Sequence, residues 1–194
     1  MYKALHDNIL KRIKISEEDF AQCISFFKAA KIKRKQFLLR EGEICKYTCF
    51  VSKGCLRSYS TDEKGNEHVI QFAIEDWWIS DLYSFLTAEP ATYNIDALED
   101  SEVLLIEKNS QEDLCAQIPA FERFFRLLLQ NNYIANHRRI TAALSATAEK
   151  RYLTMLATYP HLVERLPQHQ IASYLGITPE SLSRIRKTLL QKNK

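Results

Sequence analysis

Residues 166–187 restrict the fold of this chain more than any other stretch, because they predict two short helices joined by a tight turn. The first helix shows an apolar face made of Ile171, Ala172 and Leu175 at helical spacing. Gly176 predicts the end of that helix, since glycine enters the left-handed backbone conformation without steric cost. The chain is therefore expected to contain an all-α region near its C-terminus.

The second helix is predicted to begin at Thr178, a good N-cap, with Pro179 at the first helical position, where no N–H is needed. Leu182, Ile185 and Leu189 would face inward. The polar residues at the start of both helices would then face outward, as a helix-turn-helix needs in order to read the major groove of DNA. The predicted DNA-binding residues are Gln168, His169, Thr178, Pro179, Glu180, Ser181, Ser183, Arg184 and Lys187.

The charge distribution favours a nucleic-acid role for this end of the chain. From Arg138 onward ten lysines and arginines stand against three glutamates, a balance of +7, and the preceding residues carry −4 within a total of +3. A basic C-terminal third beside an acidic body is typical of a DNA-binding end. A plain helical hairpin is the alternative, and it explains the apolar spacing but not Ala172, Gly176 and the capped Pro179 together.

The body of the chain changes from helical to strand-like patterns. Ser16 and the acids after it predict a short helix near the N-terminus. Residues 37–106 show many short strand-like runs separated by turns such as Asp62–Asn66, with no helical pattern between them. This predicts an antiparallel jelly roll, and a composition that is 46% hydrophobic and 26% charged allows a proper core. The basic run Lys31–Arg40 is interpreted as a solvated edge beside the first strand, with a second nucleic-acid patch as the alternative.

Helical sequence returns at Ser110, and Pro119 then opens a run to Leu144 that contains no Gly or further Pro. Residues along this run recur at alternating spacings of three and four, which is typical of a coiled-coil seam. A helix of this length predicts self-association, and the alternative is one long helix packed on its own sandwich. Thr147 would start the next helix after a hinge. The predicted seam comprises Phe121, Phe124, Leu128, Asn131, Ala135, Arg138 and Ala142.

The predicted fold class is α+β, with an N-terminal antiparallel β jelly roll, a long dimerisation helix and a C-terminal all-α helix-turn-helix domain. The predicted boundaries place the roll and its flanking helices at residues 1–117, the long helix at 118–146 and the helix-turn-helix domain at 147–194. This order of elements resembles the Crp/Fnr family of bacterial transcription regulators. The resemblance rests on Glu41–Glu43, Val51–Gly54, the Asp62–Glu67 hairpin and, most specifically, Gln168–Lys187.

The resemblance implies a sensor domain of the cyclic nucleotide-binding type and a homodimer that binds a palindromic operator. It implies double-stranded DNA and RNA polymerase as partners, and neither enzymatic activity nor a membrane. It assigns base reading to Pro179, Glu180 and Arg184, of which Pro179 replaces an arginine of the family pattern, so the operator need not follow the usual consensus. Because the chain ends at Lys194, we expect the β-hairpin wing of many members to be missing.

The sensor region departs further from the family. Members that bind cyclic nucleotides hold the phosphate with a Gly-Glu step and a later arginine before Ser or Thr, and the corresponding stretches here are Ser80-Asp81 and Ala91-Thr92. No Lys or Arg occurs from Gly65 through Glu107, although this segment contains ten acids. A buried phosphate would lack compensation, so we expect no cAMP binding and no cofactor. A candidate pocket for another effector comprises Trp78, Ser80, Asp81, Tyr83, Ala91 and Thr92, with ordinary core packing as the favoured alternative for its aromatics.

The remaining patterns exclude several classes of protein. The five cysteines and the scattered histidines show neither a disulfide framework nor a metal-ligand spacing. No apolar run approaches a membrane span and the N-terminus lacks a signal core, so we expect a cytoplasmic protein. Two alternatives remain: a small-molecule sensor or interaction module that has lost specific DNA binding, and an enzyme on a jelly roll, for which no nucleophile or metal constellation is visible.

Overall fold

The computed structural model describes residues 1–192 and divides the chain into two compact units. The first unit comprises Met1–Thr61 and Ile70–Gln130, and the second comprises Asp62–Val69 together with the chain from Asn131 onward. The boundaries predicted after residues 117 and 146 stay predictions. They separate regions of different expected function, whereas the two compact units are defined by contacts between residues.

Two four-stranded sheets form the β-roll. Their strands are β1 (Lys28–Ile32), β2 (Phe37–Leu39), β3 (Tyr47–Lys53), β4 (Leu56–Thr61), β5 (Glu67–Ala73), β6 (Trp78–Ile79), β7 (Asn94–Ala97) and β8 (Ser101–Glu107). One sheet has the order β1-β8-β3-β6 and the other has the order β2-β7-β4-β5. Neighbouring strands such as β3 and β8 pair in antiparallel register, which confirms the predicted antiparallel roll.

The turn between β3 and β4 depends on a glycine. Gly54 has a φ of +99°, and a Cβ added at this position would collide with Ser101 on β8. Only glycine combines a positive φ with this close backbone approach at no steric cost. The turn therefore sets how β4 leaves the first sheet.

Cations from outside the acid-rich segment pair with several of its carboxylates. Asp96 and Arg57 form a buried bidentate ion pair, in which Nε and Nη2 of the arginine donate to the two carboxylate oxygens at 2.8 and 3.1 Å. The Nζ of Lys33 lies 2.7 Å from Asp100, and Lys11 pairs with Asp76. The acidity that the sequence shows in this segment is thus partly compensated within the fold.

Four short helices flank the sheets in the first unit: α1 (Tyr2–Leu10), α2 (Glu17–Cys23), α3 (Leu82–Thr87) and α4 (Lys108–Gln117). Ser16 caps α2 through a reciprocal capping box with Asp19, as its sequence predicts. Strand β1 and helix α3 were not predicted, since they are only five and six residues long and show no clear periodicity. Helix α4 begins at Lys108 rather than at the predicted cap Ser110.

Helix α5 (Ala120–Ser145) corrects part of the predicted dimer seam. Phe121 and Phe124 are fully buried in the hydrophobic core of the first unit, and Leu128 is half-buried against the same core. Side chains without exposed surface cannot contact a second chain, so the assignment of Phe121 and Phe124 to the dimer seam is wrong. The heptad spacing marked an apolar face correctly but could not show which surface that face meets.

The second unit continues with four helices: α6 (Ala148–Thr158), α7 (Pro160–Arg165), α8 (Gln168–Leu175) and α9 (Pro179–Lys192). Thr147 caps α6 by accepting a hydrogen bond from the Lys150 amide at 3.2 Å, which confirms the predicted start of that helix. Helix α7 has only six residues and was not predicted. The unit buries an apolar core that includes Tyr152, Met155, Leu162, Val163, Leu166 and Ile171.

Candidate nucleic-acid interface

Helix α8 and the turn after it have the conformation that their sequence predicts. Ile171, Ala172 and Leu175 are buried. Gly176 follows with φ +66° and ψ +40°, the left-handed conformation that ends the helix. The Ile177 amide then donates to the Ala172 carbonyl at 3.0 Å. These contacts confirm the two-helix motif and fix the direction in which the chain enters α9.

Helix α9 begins with the predicted cap. The Thr178 hydroxyl oxygen accepts a hydrogen bond from the Ser181 amide at 3.2 Å, and Pro179 is the first helical residue. Leu182 is fully buried. With one side of α9 held in the core, the opposite side is left to solvent.

The predicted DNA-binding residues form one solvent-facing set at the start of α8 and α9. Ser181 is half-buried because it belongs to the cap. The other members are exposed: Gln168, His169, Thr178, Pro179, Glu180, Ser183, Arg184 and Lys187. Their roles toward DNA stay predictions.

Arg184 contacts the cap of α9 rather than the neighbouring Glu180. Its Nη2 lies 3.4 Å from the Ser181 Oγ, and no ion pair within 4.0 Å joins it to Glu180 in the part of the chain that the structure describes. The pKa of Glu180 nevertheless lies below its ordinary value, because its backbone amide and the Thr178 hydroxyl hydrogen-bond to the carboxylate and Arg184 adds a favourable charge. Direct pairing is thus replaced by a shared cap at the first turn of the helix.

Two side chains that the sequence analysis missed hold α8 in place. Arg151 donates from Nε to the Leu175 carbonyl at 3.1 Å and from Nη1 to the Ala146 carbonyl at 2.7 Å. Ser173 donates to the Glu67 carbonyl at 2.7 Å and accepts from the Val69 amide at 2.9 Å. No periodic signal marks such contacts, since their partners lie up to 106 residues away in sequence.

The C-terminal half of α5 has two different faces. Asn131, Ala135, Arg138 and Ala142, the remaining predicted seam residues, line a cavity within the second unit. The opposite face is exposed and apolar, and we call it the α5 stripe; it comprises Leu129, Tyr133, Ile140 and Leu144, of which Ile140 also borders the cavity. Their spacing of four, seven and four residues matches the helical repeat of a packing seam. The exposed apolar face is therefore opposite to the one that the sequence analysis selected.

The candidate effector region in the roll is organised around a buried carboxylate. Asp81 is fully buried and caps α3 by accepting a hydrogen bond from the Ser84 amide at 3.0 Å. Its second oxygen accepts from the Thr92 amide at 3.2 Å. Two backbone N–H groups that could otherwise bind an external anion thus donate to the chain's own carboxylate.

The other residues of that region lie in different surroundings. Trp78 packs among Phe50, Phe124 and Phe125 in the core. Tyr83 and Thr92 are exposed, whereas Ala91 and Ser80 are buried. The Ser80 carbonyl accepts from the Tyr93 hydroxyl at 3.1 Å. Trp78 and Tyr83 therefore belong to different surroundings, as the core-packing alternative for the aromatics allows.

Two further features are absent from the described residues. Residues 1–192 contain no group of three or more His, Cys, Asp or Glu arranged to hold a metal ion. None of the helices in the same range is both long and apolar enough to span a bilayer.

Comparison with known proteins identifies the roll. Residues 29–118 match the cyclic nucleotide-binding domain family. The chain is 23% identical over 167 residues to the transcriptional activator protein anr of Pseudomonas aeruginosa, covering 79% of this chain and 67% of the relative. It is 25% identical over 170 residues to the fumarate and nitrate reduction regulatory protein of Vibrio cholerae, covering 79% and 65%. The chain thus spans about two thirds of the length of these relatives.

The fold also matches a solved structure. FixK2 from Bradyrhizobium japonicum superposes with a TM-score of 0.71 at 20% identity, covering 86% of each chain. At this identity the likeness concerns the fold. It extends well beyond the nucleotide-binding domain, and so includes part of the C-terminal unit.

Proposed function

We propose that this chain is a sequence-specific DNA-binding transcription regulator of the Crp/Fnr family. It binds a palindromic operator as a homodimer, and cAMP does not control it. The relatives named above are regulators by their own names; for this chain the DNA-binding role rests on its helix-turn-helix.

The single observation that carries the proposal is the arrangement of α9. One side of the helix is anchored by the fully buried Leu182, while Glu180, Arg184 and Lys187 are exposed at successive turns. An arginine can donate two hydrogen bonds to a guanine and a glutamate can accept from a cytosine amino group. The lysine one turn further on supplies a phosphate contact. This is the set of groups that a recognition helix needs.

The α5 stripe supports the homodimer. Tyr133 and Leu144 expose 70% and 85% of their surface, although both are large and apolar in body. A second copy of the same helix, packed along the stripe, would remove these side chains from water and form a self-complementary two-fold interface. Two recognition helices related by a two-fold axis then require a palindromic operator.

The buried carboxylate of Asp81 supports independence from cAMP. A cyclic nucleotide brings a phosphate anion, which needs a cation or unpaired N–H donors in a buried site. Here the Ser84 and Thr92 amides donate to Asp81. A phosphate beside this carboxylate would be repelled by a like charge.

Selection of duplexes from a random pool tests the DNA-binding role. The full chain should enrich inverted repeats whose half-site centres lie about 34 Å apart along the duplex. The Leu182→Ala variant, which weakens the anchoring of α9, should enrich them poorly. Recovery of no common sequence by the well-folded wild-type chain would reject the proposal in favour of a module without specific DNA binding.

A matched pair of substitutions tests which face of α5 forms the dimer. Tyr133→Lys places a charge in the α5 stripe, whereas Ala135→Lys places the same charge on the opposite face. Sedimentation at micromolar concentration should show a weakened dimer for Tyr133→Lys and an unchanged dimer for Ala135→Lys. The reverse result would restore the seam predicted from the sequence.

A further inference from the structure

The second unit contains a cavity of about 650 Å³ formed by α5, α6, α8 and the hairpin residues His68 and Val69. Its size lies in the range of small-molecule sites, which are about 300–1,000 Å³ in proteins. All the residues that line it belong to the second unit. Of the residues that line it, His68 and Val69 on β5 fall within the range matched to the nucleotide-binding family, and the others come from the chain after that range.

The charge of the lining is one-sided. Arg138, Arg139 and Arg151 line the cavity, and none of the described residues around it is Asp or Glu. Arg151 already donates to two backbone carbonyls, and the Arg139 guanidinium lies 5.3 Å from the centre of the Tyr174 ring. Arg138 is exposed, and within residues 1–192 no hydrogen bond or ion pair involves it. A positive charge next to an apolar wall thus faces the cavity without an internal counter-ion.

The wall of the cavity is apolar and aromatic. Ile134, Met155 and Leu175 contribute aliphatic surface, and the rings of Tyr159 and Tyr174 contribute aromatic surface. Burial raises the pKa of Tyr174, so its phenol stays neutral and does not offset the arginines. An apolar wall favours an organic body, while the arginine cluster favours a negative head group.

We propose that this cavity binds a small organic anion, an aromatic or aliphatic carboxylate of modest size, whose head group meets Arg138 and Arg139. Its body would contact residues of α5, α6 and α8 at once. The proposal does not depend on DNA binding, because every group that it uses lies in the cavity.

Two dyes with the same aromatic body separate charge from burial. 1-Anilinonaphthalene-8-sulfonate carries an anionic head, and N-phenyl-1-naphthylamine lacks it. The full-length wild-type chain should bind the sulfonate saturably, about tenfold more tightly than the neutral dye, because the anion gains charge-assisted hydrogen bonds. 2-Naphthoate should displace the sulfonate, and 2-naphthalenemethanol should not.

Substitutions of single arginines test whether the sulfonate binds in the cavity. Arg138→Gln and Arg139→Gln should each weaken sulfonate binding about tenfold while leaving the neutral dye unaffected. Arg123→Gln, an exposed arginine on the same helix outside the cavity, should change neither. Circular dichroism of each variant verifies folding. Equal affinity of the two dyes, or unchanged sulfonate binding in both cavity variants, would overturn the proposal.

Two other occupants are distinguished by competition. If scrambled duplex DNA displaced the sulfonate completely, Arg138 and Arg139 would be phosphate contacts and the anion site would be rejected. If sulfonate binding disappeared as protein concentration rose through the dimerisation range, a second copy of the chain would fill the cavity. Saturable binding that persists in the dimer and resists scrambled DNA supports the proposal.

Discussion

Helices α3 and α9 both begin with an oxygen-bearing cap, and their surroundings give them opposite properties. At α3 the cap is Asp81, a fully buried carboxylate that satisfies the Ser84 amide and the Thr92 amide together. At α9 the cap is Thr178, an exposed and neutral hydroxyl, with Arg184 nearly two turns beyond it. The carboxylate at the first helix start is fully buried, whereas the second helix start exposes Glu180, whose carboxylate accepts from its own backbone amide, beside the exposed Arg184.

The difference shows that a helix start is not an anion site by itself. The N-terminal end of a helix carries partial positive charge. A buried carboxylate cap offsets this charge and accepts the hydrogen bonds that an external anion would otherwise accept. An exposed helix start instead leaves side chains such as Glu180 and Arg184 available to base edges or phosphate. In this chain the start of α3 in the roll therefore has a structural role, whereas the start of α9 in the C-terminal unit has the features of a recognition surface.

The largest expected effect is a loss of DNA affinity when Arg184, near the exposed start of α9, is substituted. Arg184→Ala should cost about 1–3 kcal/mol per half-site on the selected operator and relax the preference at one base pair, since a bidentate contact to guanine is lost. In a dimer the loss counts twice. Titration against selected and scrambled duplexes measures it.

Lys187→Ala is the matched control for that experiment. As a phosphate contact it should weaken all sequences alike and lower the salt slope by roughly one unit per contact. Equal weakening of both duplexes by Arg184→Ala would show that Arg184 contacts phosphate, and the assignment of base reading would then be wrong.

The next largest effect concerns stability at the two caps. Asp81→Ala should lower the free energy of unfolding by about 2–4 kcal/mol, because two backbone donors lose their acceptor in a buried site. Thr178→Ala should cost only about 1 kcal/mol, since water can replace an exposed cap. Urea unfolding of both variants measures the difference. A similar loss in the two would mean that burial of the Asp81 cap adds little, and the contrast between the helix starts would fail.

A smaller effect concerns the pH dependence of stability that Glu180 contributes at the start of α9. The folded-state pKa of Glu180 lies below its ordinary value of 4.5, so its contribution to stability is present above that value and is lost as pH falls through the folded pKa. Glu180→Gln should therefore reduce the loss of stability on acidification below pH 4.5 relative to wild type. Urea midpoints at several pH values test it, with the exposed Glu164→Gln as control. Parallel curves for wild type and Glu180→Gln would contradict the prediction.

The smallest expected effect is that of cAMP, which should not bind near Asp81 at the start of α3. Calorimetry with millimolar cAMP should give no saturable isotherm, because Asp81 already accepts the N–H donors that a phosphate would need. A saturable isotherm that is lost on substitution at Asp81 would show that the roll retains a nucleotide site.

Local sequence signals predicted the helix-turn-helix well. Gly176, Thr178 and Pro179 act on the backbone within a few residues, so their effect does not depend on the rest of the fold. The alternation of short strands likewise predicted the antiparallel roll. Short elements escaped prediction, because β1 and α3 offer too few residues for a period to be visible.

For the long helix α5, the sequence predicted the helix but not the surfaces that it contacts. Its sequence predicted its existence and extent, from Pro119 to Leu144 against an observed Ala120–Ser145. It did not show that Phe121 and Phe124 pack into the core of the roll, nor that the exposed apolar face is the α5 stripe. A helical period identifies which residues share a face, but the partner of that face depends on elements distant in sequence.

The sequence by itself determined the order of the roll, the long helix and the helix-turn-helix, and the basic character of the C-terminal end. Only the tertiary structure decided that Asp81 closes a helix start from within, that Ser173 pairs with Glu67 and Val69, and that Arg138 faces a cavity. The physical reason is range: caps, turns and periods act over a few residues, whereas burial and charge pairing depend on side chains that folding brings together.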